Sequence, residues 1–272
     1  MFWTTAGSAG WSLCAGQSGP IGLGPASSGS GYVQAYNDAA AVWDPSCAGP
    51  RTICILAPDA STVPIVRFIT GEPGRVLGAL RARGRSPLAV TAPSGTAHVA
   101  TRYGGVFAYR AGATRPSGRL CEVLCRLGQG DGIATAPDGS IYVTVEGDSS
   151  SAFSAVVRFA PASRKAHLLE MGRYLGHVAG IAIDATGNVL LADPYEGTVD
   201  IFTSDTYMPA RTIPTGGSPQ SIALDAAQTH LYVTDPADEW AAVYTYPAGD
   251  LIVKATISIN LFQWSPSSVL AL

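Results

Sequence analysis

The stretch that decides the fold runs Gly180-Ile-Ala-Ile-Asp-Ala-Thr-Gly-Asn-Val-Leu-Leu-Ala-Asp193. A short apolar run leads into the turn residues Ala-Thr-Gly-Asn, and a second apolar run ends in an aspartate. Gly and Asn suit the tight turns of β-hairpins, because they tolerate the backbone conformations that such turns require. The stretch therefore predicts two antiparallel strands joined by a short turn.

The same pattern recurs along the chain. Similar stretches begin at Ser86, Asp131 and Ser218, so that the unit repeats every 41–48 residues. A looser copy covers 18–25 followed by 31–37, and Ser265-Pro266 begins the unit once more. A repeat of this length indicates an architecture in which one small supersecondary unit is copied and packed against its neighbours.

Two further β-rich runs follow each hairpin. The predicted third strands are 53–58, 106–111, 156–161, 198–202 and 243–248. The predicted fourth strands are 65–69, 120–127, 166–171, 210–213 and 251–257. Units of four antiparallel strands at this spacing are typical of the blades of a β-propeller, so the fold class is all-β.

The two ends of the chain complement each other. The run 265–272 resembles only an innermost strand, whereas 2–5 and 11–16 resemble the second and third strands of a blade. We therefore expect a single domain over 1–272 with six blades, at about 18–70, 86–127, 130–172, 178–214, 218–258, and a closing blade of 265–272 plus 1–16. Pairing of the C-terminal inner strand with the N-terminal strands would close the ring and remove exposed sheet edges.

Composition narrows the classes of partner. The 272-residue chain is 47% apolar and 14% charged, with a net charge of −3. It lacks the clustered Lys and Arg that nucleic-acid binding needs, and no apolar run reaches the ~18 residues of a membrane span.

Arg75, Arg81, Arg83 and Arg85 are interpreted as a solvated loop. The chain has five cysteines. Whether Cys47 and Cys54 form a disulfide stays undecided, and core packing is the expectation for the other cysteines.

The quoted stretch resembles the NHL repeat and its relatives. These include bacterial surface propellers with Tyr-Val-Thr-Asp strands, gluconolactonase-like enzymes and virginiamycin B lyase. The resemblance covers nearly the whole chain, most clearly residues 86–250, and implies a β-propeller fold. The Arg, Ala and Gly usage suggests a GC-rich bacterial source. It leaves function open, because one propeller scaffold hosts enzymes and binding modules alike.

Each enzyme resemblance implies a set of site residues. A gluconolactonase-like propeller is expected to hold one divalent cation, such as Ca²⁺, at the central channel through a Glu, an Asn and an Asp. Only Asp131 matches, and one oxygen ligand does not make a site for a hard cation. The lyase resemblance over 130–146 implies a catalytic His beside a Glu. Of the four histidines, only His177 lies in a loop between blades. The enzymatic alternative is therefore a metal-dependent hydrolase or lyase centred on Asp131, with Glu146 and His177.

One rim of the propeller carries the other candidate site. Loops that leave the second strands and loops that enter the next blades share one side, which gathers carboxylates and aromatic side chains. The candidate ligand-binding residues are Tyr103, Asp193, Tyr195, Asp235 and Trp240. The structural alternative is that Asp193 and Asp235, each followed by Pro, bond nearby backbone amides and shape their loops.

The leading expectation is a non-enzymatic binding or scaffold propeller. It would act as a monomer without a cofactor and present an acidic, aromatic-bearing rim to a protein or glycan partner. Location stays open. No export signal is visible at the first residues and the cysteine number is odd, whereas the low Lys content and the family resemblance favour a place outside the cytoplasm.

Overall fold

A computed structural model describes the backbone at 2–5, 12–15, 40–42, 52–56, 62–69, 75–81, 87–91, 96–101, 105–110, 113–120, 132–146, 154–225, 227–235, 237–238, 240–256 and 268–270. Side chains are described for most of the residues from Leu80 to Lys254. Every regular element in this part of the chain is a β-strand. The all-β class that the turn chemistry predicted is therefore confirmed.

The described strands, in chain order, are β1 (Phe2–Thr5), β2 (Ser12–Ala15), β3 (Ala40–Val42), β4 (Thr52–Leu56), β5 (Thr62–Ile69), β6 (Arg75–Arg81), β7 (Pro87–Thr91), β8 (Thr96–Thr101), β9 (Gly105–Arg110), β10 (Gly118–Arg119), β11 (Ile133–Thr135), β12 (Ile141–Glu146), β13 (Ser154–Phe159), β14 (Ala166–Leu168), β15 (Ile181–Ile183), β16 (Val189–Asp193), β17 (Thr198–Phe202), β18 (Pro209–Pro214), β19 (Ser221–Leu224), β20 (His230–Asp235), β21 (Trp240–Thr245), β22 (Leu251–Thr256) and β23 (Ser268–Leu270).

These strands form antiparallel sheets that follow one another along the chain. Within the described residues, five sheets have four strands each, in the orders β3-β4-β5-β6, β7-β8-β9-β10, β11-β12-β13-β14, β15-β16-β17-β18 and β19-β20-β21-β22. Their first strands contact one another in succession, from β3 through β7, β11, β15 and β19 to β23. Four-stranded antiparallel sheets that meet through their first strands are the blades of a β-propeller.

The two ends of the chain meet in a three-stranded sheet. Its order is β2-β1-β23, and Phe2 lies opposite Leu270 while Trp3 lies opposite both Cys14 and Val269. These are the strands whose pairing the complementary ends predicted.

The strand limits of the first four-stranded sheet differ from the expectation. Its strands lie between Ala40 and Arg81, so the run at 53–56 is the second strand rather than the third. The interpretation of Arg75 and Arg81 as loop residues was wrong, because they begin and end β6, where the apolar residues between them provide a strand and Leu80 is buried. Arg83 and Arg85 lie outside the described residues.

The expected fourth strand at 120–127 also begins elsewhere. The pairing strand is the two-residue β10, followed by a hydrogen bond from the Leu120 amide to the Val106 carbonyl. Residues from Cys121 to Asp131 lie outside the described part, as do Cys47 and the side chain of Cys54, so the cysteine expectations stay predictions.

The core lies between neighbouring sheets, and β16 illustrates its construction. Val189 and Leu191 pack in a cluster with residues of the preceding sheet, and Leu190 and Ala192 pack in a cluster with residues of the following sheet. Because successive side chains of a strand point to opposite faces, a strand between two sheets must be apolar on both. The continuous run Val-Leu-Leu-Ala meets that demand, and all four residues are fully buried.

Two glycines allow the first strands of neighbouring sheets to approach closely. A Cβ atom at Gly132 would lie 2.7 Å from the Ala179 carbonyl oxygen, and a Cβ atom at Gly180 would lie 2.8 Å from the Gln220 carbonyl oxygen. Both obstacles are backbone atoms, which cannot rotate away. The glycines of Asp-Gly-Ile and Ala-Gly-Ile are therefore needed for contact between sheets, a role that turn chemistry does not reveal.

A second link between sheets lies at the hairpin that joins β15 and β16. Asp184 accepts hydrogen bonds from the amides of Thr186 (2.9 Å) and Asn188 (2.8 Å), and from the Tyr246 hydroxyl of the next sheet (2.6 Å). Burial would raise the pKa of the Asp184 carboxyl, but the hydrogen bonds from Tyr246, Thr186 and Asn188 together hold that pKa below its ordinary value. One carboxylate thus shapes a hairpin and joins it to the neighbouring sheet.

The glycine contact predicts the effect of a single methyl group. Gly180→Ala is expected to lower the free energy of unfolding by about 1–3 kcal/mol, the usual cost of overpacking. The matched control is Gly176→Ala, because a Cβ atom there meets nothing within 4 Å. Urea unfolding of both variants measures the difference, and equal stabilities would contradict the role given to Gly180.

Asp184 predicts a pH-dependent loss of stability. A carboxyl whose pKa is lowered by folding contributes stability that is fully present above its unfolded pKa of about 3.9 and is lost as the pH falls through the folded pKa. Asp184→Asn should therefore cost about 1–3 kcal/mol at pH 7 and less at about pH 3. Tyr246→Phe removes one of these hydrogen bonds and serves as the comparison. A difference between wild type and Asp184→Asn that does not change with pH would contradict the assignment.

Candidate functional site

Two aspartates at equivalent strand ends organise the rim loops. Asp193 ends β16, is 1% exposed, and accepts hydrogen bonds from the amides of Tyr195 and Glu196, both at 3.0 Å. Asp235 ends β20, is fully buried, and accepts from the amides of Ala237 (2.9 Å) and Asp238 (3.0 Å). Each carboxylate thus bonds the amides two and three residues ahead. The structural alternative raised for these two residues, that they shape their own loops, is what the contacts show.

The second carboxylate oxygen of each residue is also occupied. In Asp235, Oδ2 accepts a hydrogen bond from the amide of Ser218, in the segment that leads into β19. In Asp193, Oδ2 lies 3.4 Å from a guanidinium nitrogen of Arg173. Because a carboxylate has a limited number of acceptor positions, little capacity is left for an added ligand.

A charged cluster with two buried aspartates and the partly exposed Arg173 lies at Asp193, and the sequence analysis did not single it out. Arg173 forms an ion pair with Asp200 in the middle of β17, and Asp200 also accepts a hydrogen bond from the Thr212 hydroxyl at 2.6 Å. Asp200 is 2% exposed. A buried carboxylate needs such partners to offset its lost hydration. An Asp inside the apolar strand Thr-Val-Asp-Ile-Phe was the available signal for this cluster.

Trp240 does not have the exposed position that the sequence analysis gave it. Its side chain belongs to the core between the last two four-stranded sheets and is 3% exposed. The Lys254 ammonium group lies 3.8 Å from the centre of its ring, as a cation–π contact. A ring covered in this way cannot stack on a ligand, so the assignment of Trp240 to the binding rim was wrong. Trp240 begins β21, where alternate side chains point into the core.

Tyr195 keeps its place on the rim. It is 82% exposed, on the loop that Asp193 fixes. Tyr174 is 67% exposed and lies between two residues that contact the same end of the sheets. Arg173 reaches Asp193 at the end of β16, and the Leu175 carbonyl accepts a hydrogen bond from the Ser154 amide at the start of β13. The structure therefore brings a second exposed tyrosine, missed by the sequence analysis, to the loops around Tyr195.

The proposed catalytic set is described only in part. Asp131 and Tyr103 lie outside the described residues, and Glu146 is described as the last residue of β12 without its side chain. His177 lies in the segment between β14 and β15, as expected. Catalysis by these residues and cation binding at Asp131 stay predictions. Among the residues whose side chains are described, no three His, Cys, Asp or Glu are grouped so that they could hold a metal ion.

The other three histidines lie in strands. His98 lies in β8, His167 in the outer strand β14, and His230 begins β20. His230 Nδ1 lies 2.8 Å from an Asp225 carboxylate oxygen at the hairpin end of its sheet. Hydrogen bonds from His230 and Thr229 lower the pKa of Asp225 despite burial, which alone would raise it. This pair closes a hairpin, as Asp184 does one sheet earlier.

Comparison with known proteins supports the fold and leaves the family open. No protein-family model matches the chain, and no curated protein matches it. Similar solved structures include one titled as the crystal structure of a nidogen/laminin complex, with a TM-score of 0.66 at 13% identity over 93% of this chain and 92% of that chain. Another is a protein of unknown function from Bacteroides caccae, with a TM-score of 0.57 at 14% identity over 76% and 73% of the two chains.

No helix in the described part of the chain is both long and apolar enough to cross a membrane. Together, the sheets and the similar structures establish an all-β propeller with four-stranded antiparallel blades.

The site geometry predicts different outcomes for buried and exposed rim residues. Asp193→Ala and Asp235→Ala should each lower the free energy of unfolding by about 1–3 kcal/mol, because each removes the buried carboxylate that accepts the loop's amide hydrogen bonds. Tyr195→Ala should change it by less than about 0.5 kcal/mol, as is usual for surface substitutions. Urea unfolding at pH 7 checks all three. A fully stable Asp235→Ala variant would show that these hydrogen bonds do not determine the loops.

Proposed function

We propose that this protein is a non-enzymatic binding or scaffold propeller that presents its rim to a protein or glycan partner. The observation that carries the proposal is Tyr195, an almost fully exposed aromatic side chain on a loop held by a buried carboxylate. An exposed tyrosine ring adds nothing to the packing of the core. Contact with a partner is the explanation that we propose for its position. The resemblance to NHL-repeat and bacterial surface propellers is consistent with this role.

The rigidity of the Tyr195 loop favours binding. Association loses free energy when loops and side chains must be ordered, and a loop ordered beforehand avoids part of that loss. Two amide hydrogen bonds to Asp193 fix the loop, and Arg173 links Asp193 to the segment that carries Tyr174. Tyrosine is also enriched among the residues that dominate binding energy, because it offers a large apolar ring and a hydroxyl with few rotatable bonds.

The carboxylates determine what kind of partner fits. Asp193, Asp200 and Asp235 are buried and engaged by amides, hydroxyls or Arg173, so they do not present an open set of oxygen ligands. The aromatic rings of Tyr174 and Tyr195 are accessible contact groups at this end of the sheets. Aromatic surfaces of this kind suit a protein surface or the apolar face of a sugar ring. The nidogen/laminin structure, similar in fold, comes from a complex of two proteins.

We further propose that the sheets form one closed ring of six blades. The support is the sheet that joins the two chain ends, together with the succession of contacts from β3 to β23. A ring closed in this way protects the edges of the first strands. A place outside the cytoplasm belongs to the same proposal and rests on the family resemblance and the low Lys content.

Binding at the rim is tested with partners selected against the protein itself. Peptides are selected on the immobilised wild type by phage display, a glycan array is probed in parallel, and affinities are measured by calorimetry. We expect Tyr195→Ala, with or without Tyr174→Ala, to weaken the selected ligands at least tenfold. Leu168→Ala, which removes a half-exposed apolar side chain from β14, is the matched control. Ligands that bind both variants equally would place the binding site away from the rim.

A further inference from the structure

The charged residues of this chain are segregated along the sequence. The stretch 73–121 holds eight arginines and no Asp or Glu, and the stretch 149–169 holds two arginines and one lysine, again with no Asp or Glu. These two stretches carry most of the 17 cations, whereas all 20 carboxylates lie elsewhere. The net charge does not reveal this segregation, because the basic and acidic parts nearly cancel, and the sequence analysis did not recognise it.

The fold brings the two basic stretches together. Arg81 ends β6, and its amide donates a hydrogen bond to the Thr114 carbonyl (3.0 Å), next to Arg115 in the turn between β9 and β10. After the same turn, a Cβ atom at Gly118 would lie 3.4 Å from a guanidinium nitrogen of Arg164, in the turn between β13 and β14. These contacts connect the first three four-stranded sheets. The exposed cations along them form the basic strip, which consists of Arg81, Arg110, Arg115, Arg164 and Lys165.

The basic strip is not neutralised by the part of the chain that the structure describes. None of its five side chains forms an ion pair with a described carboxylate, and Asp138, in the first hairpin of the third four-stranded sheet, pairs with Arg158 instead. The described cations of the later sheets are engaged: Arg173 with buried aspartates, and Arg211 and Lys254 with backbone carbonyls. Like charges that lie together repel one another, and an anionic partner would relieve this repulsion.

The residue types of the basic strip indicate which anion fits. All but one of its cations are arginines, whose planar guanidinium groups bind oxyanions such as carboxylates through two parallel hydrogen bonds. The turns 113–117 and 162–165 contain no large apolar side chain, which a protein that inserts into a lipid surface normally supplies. A linear polymer with many charged units can contact cations of neighbouring sheets at the same time, and its affinity gains from each added contact.

We propose that the basic strip binds a linear acidic polysaccharide. The strip is a second interaction surface, separate from the loops that carry Tyr195 and Asp238, and it does not depend on the function proposed for that rim. The place outside the cytoplasm that is proposed above favours a polysaccharide over a nucleic acid as the polyanion. Because the contacts are between exposed charges, the affinity must fall as salt screens them.

The test measures binding of the whole chain to two acidic polysaccharides by surface plasmon resonance. Heparin carries sulfate groups, alginate carries carboxylates, and neutral dextran is the reference. We expect at least one of the two acidic polymers to bind at about 50 mM NaCl, with an affinity that falls at least about tenfold at about 500 mM NaCl. Binding no stronger than that of dextran would overturn the proposal, and so would an affinity that does not change with salt.

Charge reversal locates the site on the molecule. Arg115→Glu and Arg164→Glu should each weaken binding about fivefold, and the double variant by more than about tenfold, because repulsion replaces attraction at each position. Arg211→Glu is the matched control, since it makes the same charge change at an exposed arginine of β18, in a later sheet, and should leave the affinity within about twofold of the wild type. Thermal unfolding confirms that each variant is folded, which matters most for Arg211→Glu, because Arg211 bonds two carbonyls.

Three further results would overturn the proposal. An equal loss of affinity in Arg211→Glu would show that the net charge of the protein alone attracts the polymer. A larger loss in Tyr195→Ala than in Arg115→Glu would place the polymer at the rim. Tighter binding to vesicles that contain phosphatidylserine, or to duplex DNA, than to either acidic polysaccharide would assign the basic strip to a different class of partner.

Discussion

The close backbone contact between first strands is the constraint on which the rest of the structure depends. At Gly132 and Gly180, the space that a Cβ atom would occupy is filled by a carbonyl oxygen of the neighbouring sheet. Sheets that approach so closely at their first strands diverge toward their outer strands, and larger side chains must fill the widening gap. The clusters around Leu190 and Leu191 do this on the two faces of one strand. The apolar composition of the described core between these sheets therefore follows from this contact.

Carboxylates at the two ends of the second strands have related structural tasks. At the hairpin ends, Asp138, Asp184 and Asp225 accept hydrogen bonds from the amides of their own turns. At the opposite ends, Asp193 and Asp235 accept from the amides of the loops that follow. Strand ends leave backbone N–H groups without partners in the sheet. Because the aspartate side chain is short and has two acceptor oxygens, it can bond these groups at either end of a strand. Aspartate at a strand end in this chain is thus first a structural residue.

Most of the fold could be predicted from the sequence, but little of the candidate site could. Strand type, strand order and the pairing of β23 with β1 follow from alternating apolar runs, turn residues and the repeat length, which are local or periodic signals. The third strand at Thr198–Phe202 has the predicted limits, whereas the first four-stranded sheet does not, because its first hairpin was placed at 18–37, ahead of β3. Burial of Trp240 depends on which face of β21 meets the next sheet, and the Arg173–Asp200 pair joins residues 27 apart. Neither is visible in the local sequence.

Burial divides the side chains at the loop end of the sheets into two groups. Asp193 and Asp235 are buried and accept hydrogen bonds from loop amides, whereas Glu196 and Asp238 on the same loops are exposed. The large hydrophobic side chains that stay exposed include Tyr174 and Tyr195 at one end of the sheets, and Leu251, Ile252 and Val253 on β22. Folding thus separates the aspartates that hold the loops from the side chains that remain accessible to solvent.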